Sequence, residues 1–248
     1  VENDCLLDTR TQTLLAFCGE ETATVPEGVT ALEEGAFRGT GVIFVFLPES
    51  LTEIPERAFE GCTKLGGISL PESLQILGDD AFEGCTALTA LTLPDNMTSV
   101  GRLWSTALEA RALYVSPASQ TATLLGSYGA FTDRQNPDYR YRYLDDEKGL
   151  ELVRYTGEDE DISVISGVVS IGEEAFSWQD EADGTWVCSG LQHISFPEGL
   201  KTISAYALYG AAQLESVDLP DTLTVIEASA FQGAGLTELD LPESITDI

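Results

Sequence analysis

Two consecutive stretches of the chain, PESLTEIPERAFEGCTKLGGISL (residues 48–70) and PESLQILGDDAFEGCTALTALTL (71–93), are near copies of each other. A third stretch, PDTLTVIEASAFQGAGLTELDL (220–241), keeps the same order of apolar residues. Prolines mark the period: successive ones are 22, 23, 23 and 23 residues apart from Pro26 to Pro117, and 23 and 22 residues apart from Pro197 to Pro242. Self-similarity at a fixed short period predicts a stack of small structural units.

Six apolar positions recur in the well-preserved units and are expected to form the core layer of each. In the unit that begins at Pro71 they are Leu74, Leu77, Phe82, Leu88, Leu91 and Leu93. The alternation at the end of the unit predicts a short strand, which the next proline ends because it has no amide hydrogen to donate. The middle stretch GDDAFEGC (78–85) indicates one short helical turn. One unit cannot bury its apolar face alone, so the units are expected to stack and align their strands in a parallel sheet.

The pattern LPxxLxx(I/L)xxxAFxGCxxL, visible from Pro48 to Leu65 and again from Pro71 to Leu88, resembles the BspA-like leucine-rich repeats of bacterial surface proteins. The resemblance covers most of the chain. It implies a leucine-rich-repeat solenoid, which is a right-handed curved β/α superhelix of short parallel strands and short helical turns. It also implies export and, in many members of that family, adhesion to host proteins or other cells.

The segments CLLDTRTQTLLAFCG (5–19) and YLDDEKGLELVRYTG (143–157) resemble each other and divide the chain into two similar parts. Each predicts a β-hairpin that precedes a repeat array. The first domain is therefore expected to span residues 1–138, with the N-terminal hairpin, leucine-rich repeats and a short capped helix within 116–131. The second is expected to span 139–248, with its own hairpin and repeats that end within a unit. The two are expected to form one continuous solenoid.

The chain is strongly acidic, with 42 Asp and Glu against 12 Lys and Arg and a formal net charge of -30. Such a surface repels nucleic acid and anionic lipid, so neither is an expected partner. No stretch approaches the roughly 18 consecutive apolar residues of a membrane helix, which predicts that this chain does not insert into a membrane. The first residues, VENDCLLDTR, lack the pattern of a signal peptide. If the protein is exported, its targeting segment is expected to have been removed.

The outward positions of the predicted strands are the main candidates for binding, because in a solenoid they would form the concave sheet surface. The candidates are Phe44, Phe46, Leu113 and Val115 in the first array and His193, Asp218 and Asp240 in the second. Exposed phenylalanines indicate an interaction site unless something covers them, and the N-terminal hairpin is the alternative cover for Phe44 and Phe46. Trp178 and Trp186 lie in an insertion, 177–190, where they are either recognition aromatics or side chains that fold back on the edge of the coil.

The sequence offers little catalytic chemistry. His193 is the single histidine and lies two residues before Ser195, but no G-x-S-x-G motif accompanies the pair, so an enzyme is not expected. Cys62 and Cys85 occupy equivalent places in adjacent units, which predicts buried thiols, with a disulfide or a metal pair as the alternative.

Two further features leave alternatives open. Cys5 and Cys18 flank the first hairpin, where a disulfide would cross-link it. Acidic residues follow most of the repeat prolines, as Glu49 and Asp221 do, so stacking would place like charges in columns. A solvated face is favoured over loose binding of calcium at these columns. No cofactor and no metal site are predicted.

These observations favour a non-catalytic binding module that is secreted or held at the cell surface. The expected partners are extracellular or host proteins, which would bind the concave sheet and the insertion 177–190. One alternative is a carbohydrate-binding module in which Trp178, Trp186 and acidic side chains hold a sugar. The other is a structural spacer that displays a domain outside these 248 residues.

Overall fold

The repeats fold into short strands that lie beside the equivalent strands of neighbouring repeats. A computed structural model of the protein describes residues 3–103, 112–126, 129–180 and 182–248. The chain divides into two compact units, Val1–Ser127 and Tyr128–Ile248. Strands dominate both units, and the described residues contain one short α-helix.

The elements of the first unit are β1 (Cys5–Asp8), β2 (Thr13–Phe17), β3 (Thr22–Thr24), β4 (Ala31–Leu32), β5 (Phe44–Phe46), β6 (Glu53–Ile54), β7 (Gly67–Ser69), β8 (Ile76–Leu77), β9 (Ala90–Thr92), β10 (Ser99–Val100), β11 (Ala112–Val115) and α1 (Gln120–Leu124). Strands β1 and β2 pair antiparallel, and β4 pairs in parallel with β2. The longer repeat strands pair in parallel as β3–β5–β7 and β9–β11, and the two-residue strands pair in parallel as β6–β8–β10. We call the exposed side of β3, β5, β7, β9 and β11 the front face of the first unit.

The strands of the second unit are β12 (Phe131–Asp133), β13 (Tyr139–Leu144), β14 (Gly149–Tyr155), β15 (Asp161–Ser163), β16 (Val168–Ile171), β17 (Ser177–Gln179), β18 (Trp186–Cys188), β19 (His193–Ser195), β20 (Thr202–Ile203), β21 (Ser216–Asp218) and β22 (Val225–Ile226). Strands β12, β13 and β14 pair antiparallel, and β16, β20 and β22 continue from β14 in parallel. Strands β15, β19 and β21 form a separate parallel sheet, whose exposed side we call the front face of the second unit. The insertion after β16 forms an antiparallel hairpin, β17–β18.

The predicted core layer is confirmed. Each of its members exposes at most 1% of its surface: Leu74, Leu77, Phe82, Leu88, Leu91 and Leu93. Aromatic rings of successive repeats stack through the first unit, with centroids 5.3 Å apart for Phe17 and Phe37, 4.7 Å for Phe37 and Phe59, and 5.4 Å for Phe59 and Phe82. Burying each ring contributes about 1.5–3 kcal/mol. The core therefore runs through the stack as a continuous column.

The predicted helical turn in the middle of the repeat is wrong, because residues 79–84 form hydrogen-bonded turns. Asp80 has a φ of 55°, which lies in the left-handed region and interrupts a right-handed helix. The equivalent residues of other repeats, two places before the position that Phe82 occupies, share this conformation: Gly35, Arg57, Glu174, Tyr206 and Ser229.

The predicted capped helix after the first array is confirmed as α1. The Ser119 hydroxyl accepts a hydrogen bond from the Ala122 amide at 3.1 Å, so it satisfies a donor that the first turn leaves without a helical partner.

Candidate interaction surfaces

Phe44 and Phe46 form an exposed aromatic pair on the front face of the first unit. Their side chains are 49% and 51% exposed, while Val45 between them is buried. Strand β5 lies between β3 and β7 rather than at the edge of its sheet. About half of each ring is therefore open to solvent and is not covered by the N-terminal hairpin.

The neighbours of this pair carry no charge. The residues that share the front face with it are Thr22, Thr24, Gly67, Ser69, Ala90, Thr92, Ala112 and Tyr114. Gly67 pairs directly with Phe44, and a Cβ atom at residue 67 would lie 3.0 Å from Cδ1 of the Phe44 ring. The ring thus occupies space that the absence of a side chain at residue 67 leaves open. In a chain with a net charge of -30, an uncharged front face with two exposed rings is a distinct surface.

Leu113 and Val115 were expected on this face, and that placement is wrong. Both are buried, with 3% and 0% exposure. Leu113 pairs with the buried Leu91, so Ala112 and Tyr114 take the outward positions. The physical reason is one extra residue, Ser116, between the strand and its proline, which shifts the proline-based register by one and exchanges the two faces of the strand.

The front face of the second unit is polar. Asp161, His193 and Ser216 form one cross-strand row, and Ser163, Ser195 and Asp218 form the next. Together with Ile162 and Ile194 they line a shallow depression of about 280 Å³. His193 and Asp218 are exposed, as expected from the sequence. Sequence reasoning missed Asp161 and Ser163 because Ile165 stands where other repeats have the proline that follows the strand; the likeness of DIS (161–163) to HIS (193–195) was the available signal.

Asp240 is exposed but does not lie on a strand, contrary to expectation. Residues 234–240 form no strand within the described part of the chain, so Asp240 does not extend the sheet of β15, β19 and β21. The sequence pattern LTELDLP (236–242) matches the other repeat strands, and nothing in the structure explains why pairing stops at β21.

Trp178 and Trp186 lie on opposite faces of the β17–β18 hairpin. Trp178 pairs with Val187 and Trp186 with Gln179, so the two indoles belong to alternate sides of the two strands. Trp186 folds back on the next repeat, where its ring centroid is 4.4 Å from that of Tyr209 and 5.8 Å from that of Tyr206. The two tryptophans therefore do not form one recognition surface.

Trp178 instead contacts a cation. The Arg154 guanidinium lies 5.0 Å from the centroid of the Trp178 ring. Arg154 pairs directly with Arg140 across β13 and β14, and both arginines line a second depression of about 490 Å³. Sequence reasoning missed this pair, because the sequence shows neither the register of the β13–β14 hairpin nor the packing of the inserted β17–β18 hairpin against it.

The family model of the BspA type leucine rich repeat region matches residues 13–104 and 154–248, with six copies of the repeat. The chain belongs to this family. No curated protein sequence matches the chain.

Solved structures of several bacterial leucine-rich-repeat proteins are similar to the chain. A leucine rich cell surface protein from Faecalibacterium prausnitzii A2-165 is 19% identical, with 98% of this chain and 82% of that chain covered and a TM-score of 0.38. The T. pallidum leucine rich repeat protein TpLRR is 19% identical, with 92% and 84% covered and a TM-score of 0.36. The pneumococcal vaccine antigen PcpA is 21% identical, with 95% and 57% covered and a TM-score of 0.34.

In the BspA type repeats of the second unit, one cross-strand row contains an Asp, a His and a Ser, which are the residue types of a hydrolase triad. Their geometry is not that of a triad. His193 Nδ1 lies 2.6 Å from Ser216 Oγ, but His193 Nε2 lies 3.8 Å from Asp161 Oδ1, beyond hydrogen-bonding distance. The Asp161 side chain is 73% exposed, whereas the carboxylate of a triad is buried and hydrogen-bonded to the imidazole. The matched family is a repeat rather than an enzyme family.

The cysteines of the BspA type repeats lie inside the stack. The thiols of Cys62 and Cys85 donate hydrogen bonds to the carbonyl oxygens of Phe37 and Phe59, at 2.9 and 3.2 Å. A hydrogen bond with the Cys85 side chain lowers the pKa of Cys62 to about 7, against the effect of burial. Within the described ranges, no group of three His, Cys, Asp or Glu side chains is placed to hold a metal ion.

The hairpin cysteines face different environments. Cys5 is buried opposite Phe17, while Cys18 is exposed on the other face of the hairpin. The two cysteines are not joined by a disulfide in the structure. No helix in the described part of the chain has the length and apolar character needed to cross a bilayer.

Proposed function

We propose that this protein is a non-catalytic, secreted or surface-held module that binds an extracellular or host protein through the front face of its first unit. The observation that carries the proposal is the half-exposed pair Phe44 and Phe46 on a central strand. Contiguous exposed apolar surface marks interaction sites, and aromatic side chains supply much of the binding energy at protein interfaces.

The surroundings of the pair suit a rigid recognition surface. Both rings project from β5, which is held by parallel pairing on each side, so little backbone ordering is needed on binding. In this proposal the repeats form a right-handed curved solenoid whose concave side contains the front face. The hairpin-led domains 1–138 and 139–248 and their continuity as one solenoid remain predictions.

The net charge of the chain favours some classes of protein partner over others. A net charge of -30 repels acidic proteins and accelerates association with basic ones. The proposed partner therefore presents an apolar patch bordered by Lys and Arg. Adhesion to host or other cells follows if that partner lies on such a surface.

The test is binding of the labelled chain to a panel of immobilised extracellular-matrix proteins at about 0.15 M salt, where long-range charge effects are screened. The variant Phe44→Ser/Phe46→Ser is compared with Ile76→Ser, which removes an exposed apolar side chain from β8 in a different sheet of the unit. We expect binding to a basic target that falls by about tenfold or more in the double variant and stays in the control. Equal binding by the double variant would contradict the proposal, and silence on every target would favour the spacer function.

Carbohydrate binding is the second candidate function. Because Trp178 and Trp186 lie on opposite faces of their hairpin, they do not stack on one sugar together. The observation that favours this candidate is the depression beside Trp178.

A further inference from the structure

The depression beside Trp178 brings positive charge together in an acidic protein. Its volume is about 490 Å³, which lies in the usual range for small-ligand sites. The residues that line it are Arg140, Arg154, Thr156, Glu174, Trp178, Gln179 and Asp180.

Arg140 and Arg154 are directly opposite each other on the antiparallel strands β13 and β14. Like charges in this relation repel and destabilise the strand pair unless an anion lies between or beside them. The chain has 12 basic residues for 42 acidic ones, so carboxylate partners are abundant. Yet neither arginine forms an ion pair with any residue in the described part of the chain.

Other arginines of the same chain are paired. Arg38 donates to Glu60 at 2.8 Å, Arg102 to Asp80 at 2.7 Å, and Arg142 to Glu151 at 2.8 Å. Arg142 lies two residues from Arg140 on the same strand. Three described arginines therefore have carboxylate partners, whereas the two at the depression have none.

Arg154 is held in place and partly dehydrated. Trp178 packs against its guanidinium at 5.0 Å, which fixes the group and offsets some of its lost hydration. Burial lowers the pKa of Arg154, and the charge of Glu174 acts in the opposite direction. The two do not form an ion pair among the described residues. A guanidinium that is partly dehydrated, packed against a ring and without an ion pair is suited to bind an oxyanion, since part of the free-energy cost of ordering its side chain has already been met.

We propose that this depression binds a carboxylate-bearing sugar residue, with Arg140 and Arg154 holding the carboxylate. Guanidinium groups bind carboxylates through two parallel hydrogen bonds. This inference concerns the second unit and does not depend on the proposed function of the first.

The remaining lining residues favour a sugar over a simple anion. Glu174 and Asp180 accept hydrogen bonds from hydroxyl groups, and Gln179 and Thr156 both donate and accept them. The same two carboxylates repel a multiply charged phosphate group. The site therefore matches a ring that carries one carboxylate and several hydroxyls, which is the chemistry of uronic and sialic acids.

The test is titration of the full chain with methyl β-D-glucuronide and with the methyl glycoside of N-acetylneuraminic acid, followed by the indole Nε1–H resonances in heteronuclear NMR. Methyl β-D-glucoside lacks the carboxylate and is the matched neutral ligand. Sodium acetate and sodium sulfate test for binding of any anion. The variants are Arg140→Gln and Arg154→Gln, with Lys201→Gln as a control that removes one positive charge from the same unit outside the depression.

We expect at least one of the two acidic sugars to shift the Trp178 resonance in a saturable way. We expect each arginine variant to bind about tenfold or more weakly, and Lys201→Gln to bind like the wild type. Melting temperatures of the variants without ligand that are equal to or above that of the wild type would show that lost binding is not lost folding.

Three outcomes would overturn the inference. The first is no saturable shift with either acidic sugar. The second is equal affinity for the glucoside, because the arginines would then not select the ligand. The third is equal affinity for acetate or sulfate, which would make the depression a site for an adventitious ion only.

Discussion

The Phe44 ring lies over Gly67, its cross-strand partner on the next repeat, where a Cβ atom would come within 3.0 Å of the ring. We therefore expect Gly67→Val to displace the Phe44 ring while preserving the strand, since valine favours extended backbone and the ring can rotate away. Binding to a protein partner of the front face should fall by about tenfold, with the free energy of unfolding changed by about 1 kcal/mol or less.

Gly66→Val is the control for this variant, because a Cβ atom at Gly66 meets only the carbonyl oxygen of Ile43, at 4.0 Å. Surface plasmon resonance with the partner and urea unfolding measure the two effects separately. Equal losses of affinity in both variants would show that the Phe44 ring is not the feature that matters.

A column of glycines makes close contact between consecutive repeats. Gly84 has a φ of 74°, and a Cβ atom there would lie 3.3 Å from the Cα atom of Gly61. We expect Gly84→Ala to lower the free energy of unfolding by about 1–2 kcal/mol from the left-handed conformation alone, and by more if the repeats must separate. Urea unfolding measures the change, and Gly66→Ala, at an open position, should have a much smaller effect. Equal losses of stability in Gly84→Ala and Gly66→Ala would show that the close contact between repeats does not add to the cost of the substitution.

The register of β11 can be tested directly. Leu113→Ala removes a buried side chain and should cost about 2–5 kcal/mol of stability, whereas Tyr114→Ala on the outward side should cost about 1 kcal/mol or less. Thermal or urea unfolding distinguishes the two variants. If Tyr114→Ala were the more damaging of the two, the outward positions would be those expected from the proline spacing.

The sequence-based predictions were accurate where the structural feature depends on residues that are close together in the sequence. Leu74, Leu91 and Phe82 were placed correctly in the core, because a repeated apolar pattern and the alternation along a strand are local properties. The predicted placement of Leu113 was wrong because of a single inserted residue. Side chains alternate along a strand, so a register shift of one residue moves each side chain to the opposite face.

The candidate sites depended more on tertiary contacts. The exposure of Phe44 and Phe46 could be predicted from the alternation of side chains along the strand. That the N-terminal hairpin leaves them exposed could not be predicted. The meeting of Arg140 and Arg154 requires the register of β13 and β14, which shifts at an irregularity directly after Arg140. A bulge of this kind has no clear signal in one sequence, so the depression was visible only in the structure.

The ion pair of Asp80 and Arg102 predicts a dependence of stability on pH. Hydrogen bonds from Arg102 lower the pKa of Asp80 below its ordinary value. A carboxylate with a lowered folded-state pKa stabilises the protein fully above its unfolded-state pKa of about 3.9 and loses that contribution as pH falls through the folded-state value. Asp80→Asn should therefore be less stable than the wild type at neutral pH, and the difference should shrink below about pH 4.

Urea unfolding at a series of pH values measures this difference. Asparagine tolerates the left-handed backbone at residue 80, so the substitution tests the charge rather than the turn. A constant difference between Asp80→Asn and the wild type down to pH 2 would contradict the assignment. Arg102→Gln should reproduce the reduced pH dependence.

Without ligand, the two opposed arginines of the second hairpin should cost stability. Arg140→Gln removes the repulsion from Arg154 and should raise the free energy of unfolding by about 0.2–1 kcal/mol at low salt. Arg142→Gln on the same strand removes the ion pair with Glu151 and should lower it by a similar amount. Both changes should diminish at about 1 M salt, where charges are screened over about 3 Å. A loss of stability in Arg140→Gln would mean that this arginine has a stabilising partner, and the case for an anion beside Arg154 would fail with it.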